Sequence, residues 1–182
     1  MRIIAGEARG LRLKALKGRQ TRPTSGLVRG AIFGILESMG AKFDRVLDLY
    51  AGTGALGIEA LSRGASWVDF VEQDRRSCGV IRENLKALGF SERSHVYCCP
   101  VSRALGFRLL PYDVIIADPP YGRAAPAELL GDLAGCSAVS RDTVIVLEVS
   151  RRSEKPESTS GMALIKERRH GDTCIWVYGK EV

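Results

Sequence analysis

Apolar and polar positions change rhythm along this chain, and the changes predict alternating strands and helices. Short, nearly continuous apolar runs at 45–50, 67–72, 94–98, 112–117 and 143–149 read as buried strands. Apolar residues recur at helical spacing over 26–39, 55–63, 75–88 and 126–134. The stripe from Arg75 to Leu88 is followed by Gly89, a helix stop signal. Strands that are apolar throughout, separated by helices, imply a mainly parallel sheet covered on both faces. Two further strands, 162–169 and 173–179, are joined by His170-Gly171-Asp172-Thr173, and so tight a connection makes them an antiparallel edge hairpin. Segments 2–5 and 9–15 flank Gly6-Glu7-Ala8 and predict a small N-terminal hairpin, with a loop containing Pro23 after it. Polar residues 151–160 read as a surface loop. The expected architecture is therefore α/β, a seven-stranded sheet (residues 26–182) preceded by a basic hairpin-and-loop extension (residues 1–25).

Two of these strands end in chemically distinctive turns. Asp118-Pro119-Pro120-Tyr121 follows the run Tyr112 to Ala117. Proline has a fixed φ and no N–H, so this turn relaxes into neither helix nor ladder, and its carbonyls are free to face a ligand. A carboxylate accepts hydrogen bonds only, and a tyrosine ring offers a flat stacking face. The set suits a planar base carrying an exocyclic amine. Upstream, Val46-Leu47-Asp48-Leu49-Tyr50-Ala51-Gly52-Thr53-Gly54-Ala55-Leu56-Gly57 is a strand, a glycine-rich turn and a helix start. Its glycines fit the dinucleotide fingerprint, and Glu72 follows about twenty residues on, as the ribose-binding acid does in that fingerprint. A nicotinamide dehydrogenase would satisfy this motif alone. Asp48, inside the strand before the glycines, argues otherwise: its charge opposes a pyrophosphate and suits the amino group and sulfonium of S-adenosylmethionine. The chain also offers no second nucleotide-binding half, and a dehydrogenase leaves the Asp118 turn unexplained. In a doubly wound sheet the first and fourth strands are neighbours, so methyl donor and amine acceptor would meet at their carboxyl ends.

Charge adds a partner. The 182 residues carry 27 Lys and Arg against 21 Asp and Glu, a formal net charge of +6 with pI near 9.2. In the first thirty residues Arg2, Arg9, Arg12, Lys14, Lys17, Arg19, Arg22 and Arg29 face only Glu7, a stretch suited to phosphates. A second basic set, Lys166, Arg168, Arg169 and Lys180, lies near the C-terminus, and the sequence leaves open whether the two meet. The five cysteines form no CxxC pair and suggest neither a disulfide framework nor a metal site. With no long apolar span and no signal-peptide core at the start, a cytoplasmic protein is expected, a monomer by default at this size. His95 and His170 lack a carboxylate partner at useful spacing, Trp67 and Trp176 fall on strands, and all four are expected in packing or surface roles. Asp113, ahead of its strand body, is expected to be solvated.

Taken together, Met1-Arg2-Ile3-Ile4-Ala5-Gly6, Arg9-Gly10, Thr21-Arg22-Pro23-Thr24, Ala31-Ile32-Phe33-Gly34-Ile35-Leu36, the glycine turn with Ser62-Arg63-Gly64-Ala65, the Asp-Pro-Pro-Tyr turn and Gly171-Asp172-Thr173 make the chain resemble the RsmD family almost end to end. These are bacterial small-subunit rRNA guanine-N2 methyltransferases. The resemblance implies a Rossmann-like class I methyltransferase fold and S-adenosyl-L-methionine as methyl donor, with no metal. Its implied substrate is one guanine of 16S rRNA in the small ribosomal subunit or an assembly intermediate. It implies that Asp48 and the loop Tyr50, Ala51, Gly52, Thr53 and Gly54 hold the methionine part, that Glu72 with Gln73 holds the ribose, and that Cys99 stands at the adenine. It places Asp118, Pro119, Pro120 and Tyr121 at the acceptor base, and Arg9, Arg12, Lys14, Arg22 and Thr24 at RNA.

The chain departs from the family pattern in two places. An Asp-Arg pair and a later Glu are replaced by Gly26-Leu27 and Gly30, which implies a looser helix, since glycine costs about 1 kcal/mol against alanine within a helix. An Asp or Asn at the adenine amine is replaced within Cys98-Cys99-Pro100, a weaker acceptor. Three other readings stay open on the residues: a DNA adenine-N6 methyltransferase, a protein-amine or small-molecule methyltransferase, and a non-catalytic RNA-binding assembly factor with a remnant cofactor fold.

Overall fold

The computed structural model describes residues 1–16, 25–120, 126–156, 158–159 and 161–181. After helix α1 (Gly26–Ser38), strands and helices alternate: β1 (Arg45–Leu49), α2 (Ala55–Ser62), β2 (Trp67–Glu72), α3 (Arg75–Leu88), β3 (Ser94–Cys98), α4 (Val101–Leu105), β4 (Tyr112–Ala117), α5 (Pro126–Ala134) and β5 (Val139–Ser150). The chain closes with β6 (Ser158–Thr159), β7 (Met162–His170) and β8 (Thr173–Lys180). One sheet holds them all, in the order β3-β2-β1-β4-β5-β8-β7-β6. β1 to β5 run parallel, and β8 enters antiparallel between β5 and β7. The seven long strands are those the hydrophobic pattern predicts.

Four details differ from expectation. The segment read as a loop at 151–160 contains the two-residue β6, paired with β7. β5 starts at Val139 rather than 143, because Val139 pairs with Tyr112 across a bulge before the main register resumes. Helix α4 has no counterpart in the hydrophobic pattern, because a five-residue helix is too short to display one. Asp113 is not simply solvated: its Oδ2 accepts the backbone N–H of Arg45 at 2.8 Å and ties the start of β1 to β4.

Each face of the sheet has its own core. One face packs Ile32, Phe33 and Leu36 of α1, Ile58 and Leu61 of α2 and Ile81 and Leu85 of α3 against Val46, Val68, Phe70, Val114 and Ile116. The other packs Leu129, Leu130 and Leu133 of α5 and Ala104 of α4 against Leu47, Leu49, Ile115, Leu147 and Trp176. Helix α3 is amphipathic, capped by Asp74, whose side chain accepts from Ser77 N at 3.0 Å, and stopped by Gly89 in the left-handed region. α1 forms over its full predicted course despite its glycines, with Ser25 accepting from Val28 N as N-cap.

Helix α2 is different, for all eight of its residues are buried. It is wedged between the sheet and the N-terminal segment. At Gly57 a β-carbon would stand 2.3 Å from Phe70 Cε1, so only glycine lets the helix lie this close to β2. The N-terminal segment covers the other side. The predicted hairpin pairs through the Arg2–Arg12 bridge and through Ile3 N to Leu11 O, Gly10 N to Ile3 O and Leu13 N to Met1 O at 3.0, 2.9 and 3.0 Å. Other backbone donors of the segment turn to α2: Ile4 N and Ala5 N donate to the two carboxylate oxygens of Glu59 at 2.9 and 3.0 Å, and Ala8 N donates to Ser62 Oγ at 3.0 Å. Around the same carboxylate stand Arg63, whose Nε donates at 2.9 Å, and the buried Arg29, ion-paired at 3.6 Å. Arg29 also donates to the carbonyl of Arg2 at 2.6 Å.

Candidate functional site

The parallel register places the two sequence motifs side by side. Leu49 pairs with Val71 on one side and Ala117 on the other. Tyr50, Glu72 and Asp118 therefore each come directly after the last residue paired between β1 and its two neighbours, at the carboxyl edge of the sheet. Asp48, one step back in β1, is buried at 1% exposure. Asp118 is half-buried, Pro119 buried and Pro120 exposed. Tyr121 lies outside the described residues, as do Arg22 and Thr24.

The glycine turn is built by backbone bonds to these acids. Gly52 N donates to Glu72 Oε2 at 2.9 Å, and Glu72 Oε1 accepts Asp74 N at 2.7 Å. Each oxygen keeps a lone pair for a further donor. Ala51 N donates to Val71 O at 3.0 Å, and Gly54 N to Ala51 O at 2.7 Å. Tyr50 has φ 58°, a left-handed conformation that costs a non-glycine side chain energy and that recurs at ligand sites. Asp48 Oδ2 accepts Gly57 N at 2.9 Å, so this carboxylate also satisfies a backbone donor in the first turn of α2.

Asp48 is electrostatically poised. Burial pushes its carboxyl up to about 7, the Gly57 bond opposes the shift, and the neighbouring Asp118 and Glu72 add to it. Three carboxylates, Asp48, Glu72 and Asp118, thus crowd one edge of the sheet, where their negative charge favours a cationic ligand. Among the described residues no group of three His, Cys, Asp or Glu side chains is placed to hold a metal ion.

The remaining predicted residues fall around this centre. Gln73 is exposed next to Glu72. Cys98 pairs with Glu72 in the β2–β3 register, and the half-buried Cys99 follows it at the β3 end of the edge. Arg9, Arg12 and Lys14 are exposed on the N-terminal segment. One residue that sequence reasoning missed joins that segment to the site. Asn84 of α3 is 2% exposed; its Oδ1 accepts Lys14 N at 2.8 Å, and its Nδ2 donates to Lys14 O at 3.2 Å and Thr53 O at 3.4 Å. An amide on the apolar stripe of α3 was the signal for it, since a buried amide needs partners. Glu59 was missed likewise, and its place in the middle of Ile58 to Leu61 was the clue; Arg29, read among the cations facing phosphate, is instead 1% exposed and paired with Glu59.

Comparison with known proteins identifies the family. The model of a family described as conserved hypothetical protein 95 matches residues 1–179. The chain belongs to this family, the RsmD-type rRNA methyltransferases. It is 36% identical over 185 residues to YlbH of Bacillus subtilis (strain 168), a candidate rRNA methyltransferase, covering 99% of both chains. It is 32% identical to ribosomal RNA small subunit methyltransferase D of Haemophilus influenzae, covering 98% of this chain and 93% of that relative. In structure it is similar to yhhF of Escherichia coli, a candidate methyltransferase, with a TM-score of 0.87 at 29% identity, covering 100% of this chain and 98% of the other. The family's structural relatives place the strand order described above in the class I methyltransferase fold. No helix among the described residues is long and apolar enough to cross a membrane.

Proposed function

We propose that this RsmD-family protein transfers a methyl group from S-adenosyl-L-methionine to the exocyclic N2 amine of a guanine in 16S rRNA of the small ribosomal subunit. The observation that carries the reading is the convergence of Asp48, Glu72 and the Asp118-Pro119-Pro120 turn at the ends of adjacent strands. When bound, S-adenosylmethionine supplies an electrophilic methyl group on a sulfonium. Asp48 and the backbone of Tyr50 to Gly54 face its cationic methionine end. Glu72 keeps acceptor capacity for the two ribose hydroxyls beyond its bonds to Gly52 N and Asp74 N. Cys99 borders the adenine.

The amine side is orientation chemistry. A guanine N2 lone pair is delocalised into the ring and is a poor nucleophile. The Asp118 carboxylate and the Pro119 carbonyl would accept hydrogen bonds from its two N–H groups and favour pyramidal nitrogen. As nitrogen takes the methyl group, the methyl–sulfur bond would break, S-adenosylhomocysteine would leave and one N–H proton would pass to Asp118 or to water. Guanine offers N1–H beside N2–H, a donor edge that matches an acceptor-only carboxylate. Tyr121 stacks on the base, which has left its own stack to reach the cleft. Exposed Arg9, Arg12 and Lys14, with Arg22 and Thr24, hold the RNA backbone.

The test is transfer of labelled methyl groups to unmethylated small subunits, with free 16S rRNA, large subunits and duplex DNA alongside. Label confined to small-subunit RNA, recovered as N2-methylguanosine, is the expected result. Label in DNA or protein would overturn the substrate, and no label with no cofactor binding would leave a binding protein.

A pH dependence follows from Asp48. A cation binds its ionised form, so cofactor affinity is expected to level off above pH about 7 and to weaken by up to about tenfold per unit below it. Binding near pH 6 should release a proton. The folded-state pKa is raised, so the same group favours folding while protonated and loses that contribution as pH rises from its ordinary value through about 7. Asp48→Asn is therefore expected to flatten both profiles, binding cofactor poorly at pH 8 while resisting urea better there. Calorimetry in two buffers and urea melts at pH 5.5 and 8 check this; an affinity that does not change with pH would remove Asp48 from the cation site.

A further inference from the structure

The C-terminal strands carry a second polar pocket that the acceptor site does not use. Its volume is about 190 Å³, and its lining includes Arg151, Lys155, Glu167, Arg169 and Trp176. Three cations there face a single carboxylate. Glu167 accepts Lys155 Nζ at 2.8 Å and Arg169 Nε at 3.2 Å, which fixes both cationic heads at the rim. Among the described residues no carboxylate pairs with Arg151. The lining as a whole keeps a surplus of two positive charges, three cations less one carboxylate. Trp176 is 2% exposed, and its indole Nε1–H is a buried donor without an acceptor. Buried donors in folded proteins are almost always paired, and this one lies in a pocket lined by cations, where an anionic oxygen would satisfy it.

Topology places the pocket beside the acceptor turn. Leu147 of β5 pairs with Ala117, the residue before Asp118, and on its other side with Trp176 of β8. Trp176 in turn pairs with Glu167 of β7, and Cys174 with Arg169. The strand alternation puts Glu167, Arg169, Cys174 and Trp176 on one face, while Lys166 and Arg168 go to the other, where Lys166 Nζ reaches Ser38 of α1 at 3.1 Å. The C-terminal basic set is thus divided by the sheet, and Arg169 alone of the four contributes to the pocket. Arg151 follows the last residue of β5 and stands at the same carboxyl edge as Asp118. On the opposite face, Lys14 approaches the glycine turn through Asn84. Positive charge therefore flanks the acceptor site on both sides of the sheet.

We infer that the Arg151–Lys155–Arg169 pocket, with the Trp176 indole as a buried donor, is a phosphate-binding site that holds the RNA backbone next to the nucleotide being methylated. The inference rests on RNA being the substrate. Two guanidiniums and an ammonium match phosphate oxygens in charge and in donor geometry. The exposed rim suits a polymer lying across the edge rather than a metabolite enclosed in a cavity.

The test uses the full chain labelled with ¹⁵N at tryptophan, in which the two indole signals are assigned with Trp67→Phe. Titration with a single-stranded oligoribonucleotide is expected to shift the Trp176 indole signal, and Arg151→Gln/Arg169→Gln is expected to abolish the shift. In the methyl-transfer assay the same double variant should raise KM for small subunits roughly tenfold, with kcat and cofactor affinity unchanged. The salt slope of RNA binding should fall by about 0.7 for each phosphate that the variant no longer neutralises. A shift with inorganic phosphate but none with RNA, at unchanged KM, would overturn the RNA assignment, and no shift with either would overturn the site. An RNA-dependent Trp176 shift in a protein that methylates no RNA would uphold the phosphate site while the substrate reading failed.

Discussion

Replacing Asp118 with alanine is expected to slow methyl transfer to small-subunit RNA by about 10²–10³-fold, a cost of about 3–4 kcal/mol in the transition state. Cofactor affinity should stay close to that of the parent, because Asp118 stands at the acceptor end of the edge and Asp48 and Glu72 hold the donor end. The same proximity predicts a small gain: removing a neighbouring negative charge lets Asp48 ionise at lower pH, so cofactor binding in the variant should persist further into acid. Asp118→Asn separates acceptor chemistry from shape. Its amide keeps the shape and one acceptor, the carbonyl oxygen, but loses the charge and turns an N–H donor toward the donor edge of the base, so its rate should fall between those of the parent and the alanine variant. The assay is single-turnover transfer with saturating cofactor. Near-parental rates in the asparagine variant would show that one neutral acceptor suffices and would remove the carboxylate's charge from the transfer step.

The second large effect is structural. Glu59→Gln is expected to destabilise the fold by about 3–5 kcal/mol, the usual cost of removing one partner from a buried ion pair. Glu59 accepts Ile4 N, Ala5 N and Arg63 Nε and faces Arg29, and both it and Arg29 are about 1% exposed at the side chain. Glutamine keeps one carbonyl for these donors, turns an N–H toward the rest, leaves the buried Arg29 without the charge that balances it and leaves Arg63 with Glu37 alone. The urea midpoint should fall by about 2 M, taking a slope of about 2 kcal/mol per M. Glu37→Gln is the control: Glu37 pairs with Arg63 at 2.7 Å but is half exposed, and its loss should cost less than about 1 kcal/mol. Equal midpoint shifts in the two variants would refute a buried clamp. The functional consequence is distinct, because the clamp seats the basic N-terminal segment on the helix that follows the glycine turn. A folded Glu59 variant should lose RNA affinity before it loses cofactor affinity.

Much of this was legible along the chain. Strands that are buried on both faces must be apolar at nearly every position, so β1, β2 and β4 announce themselves, and helices between them impose parallel pairing. The two turns at Asp48–Gly57 and Asp118–Tyr121 are local, and their chemistry depends on residue type more than on distant contacts. That both sit at carboxyl ends of neighbouring strands follows from the doubly wound order, which β3-β2-β1-β4-β5 bears out.

Other features were fixed only by the assembled molecule. The N-terminal segment reads as a hairpin and pairs as one through Ile3, Gly10 and Leu13, but its docking on α2, where Glu59 and Ser62 take the N–H groups of Ile4, Ala5 and Ala8, is written nowhere in its own pattern. Helix α2, buried all round, shows no amphipathic face that would say what covers it. The C-terminal cations look like one basic cluster in sequence, and the alternation of β7 sends them to opposite faces. The sequence by itself therefore determined the seven long strands, the adjacency of the first and fourth and the chemical character of the two turns, because hydrophobic periodicity and turn residues act over a few positions. The entry of β8 between β5 and β7 was decided in the assembled sheet. Tertiary structure alone decided the buried Arg29–Glu59–Arg63 clamp, the raised pKa of Asp48 and the cationic pocket at Trp176. Each of these depends on desolvation and on charges brought close from distant parts of the chain, which no local pattern encodes.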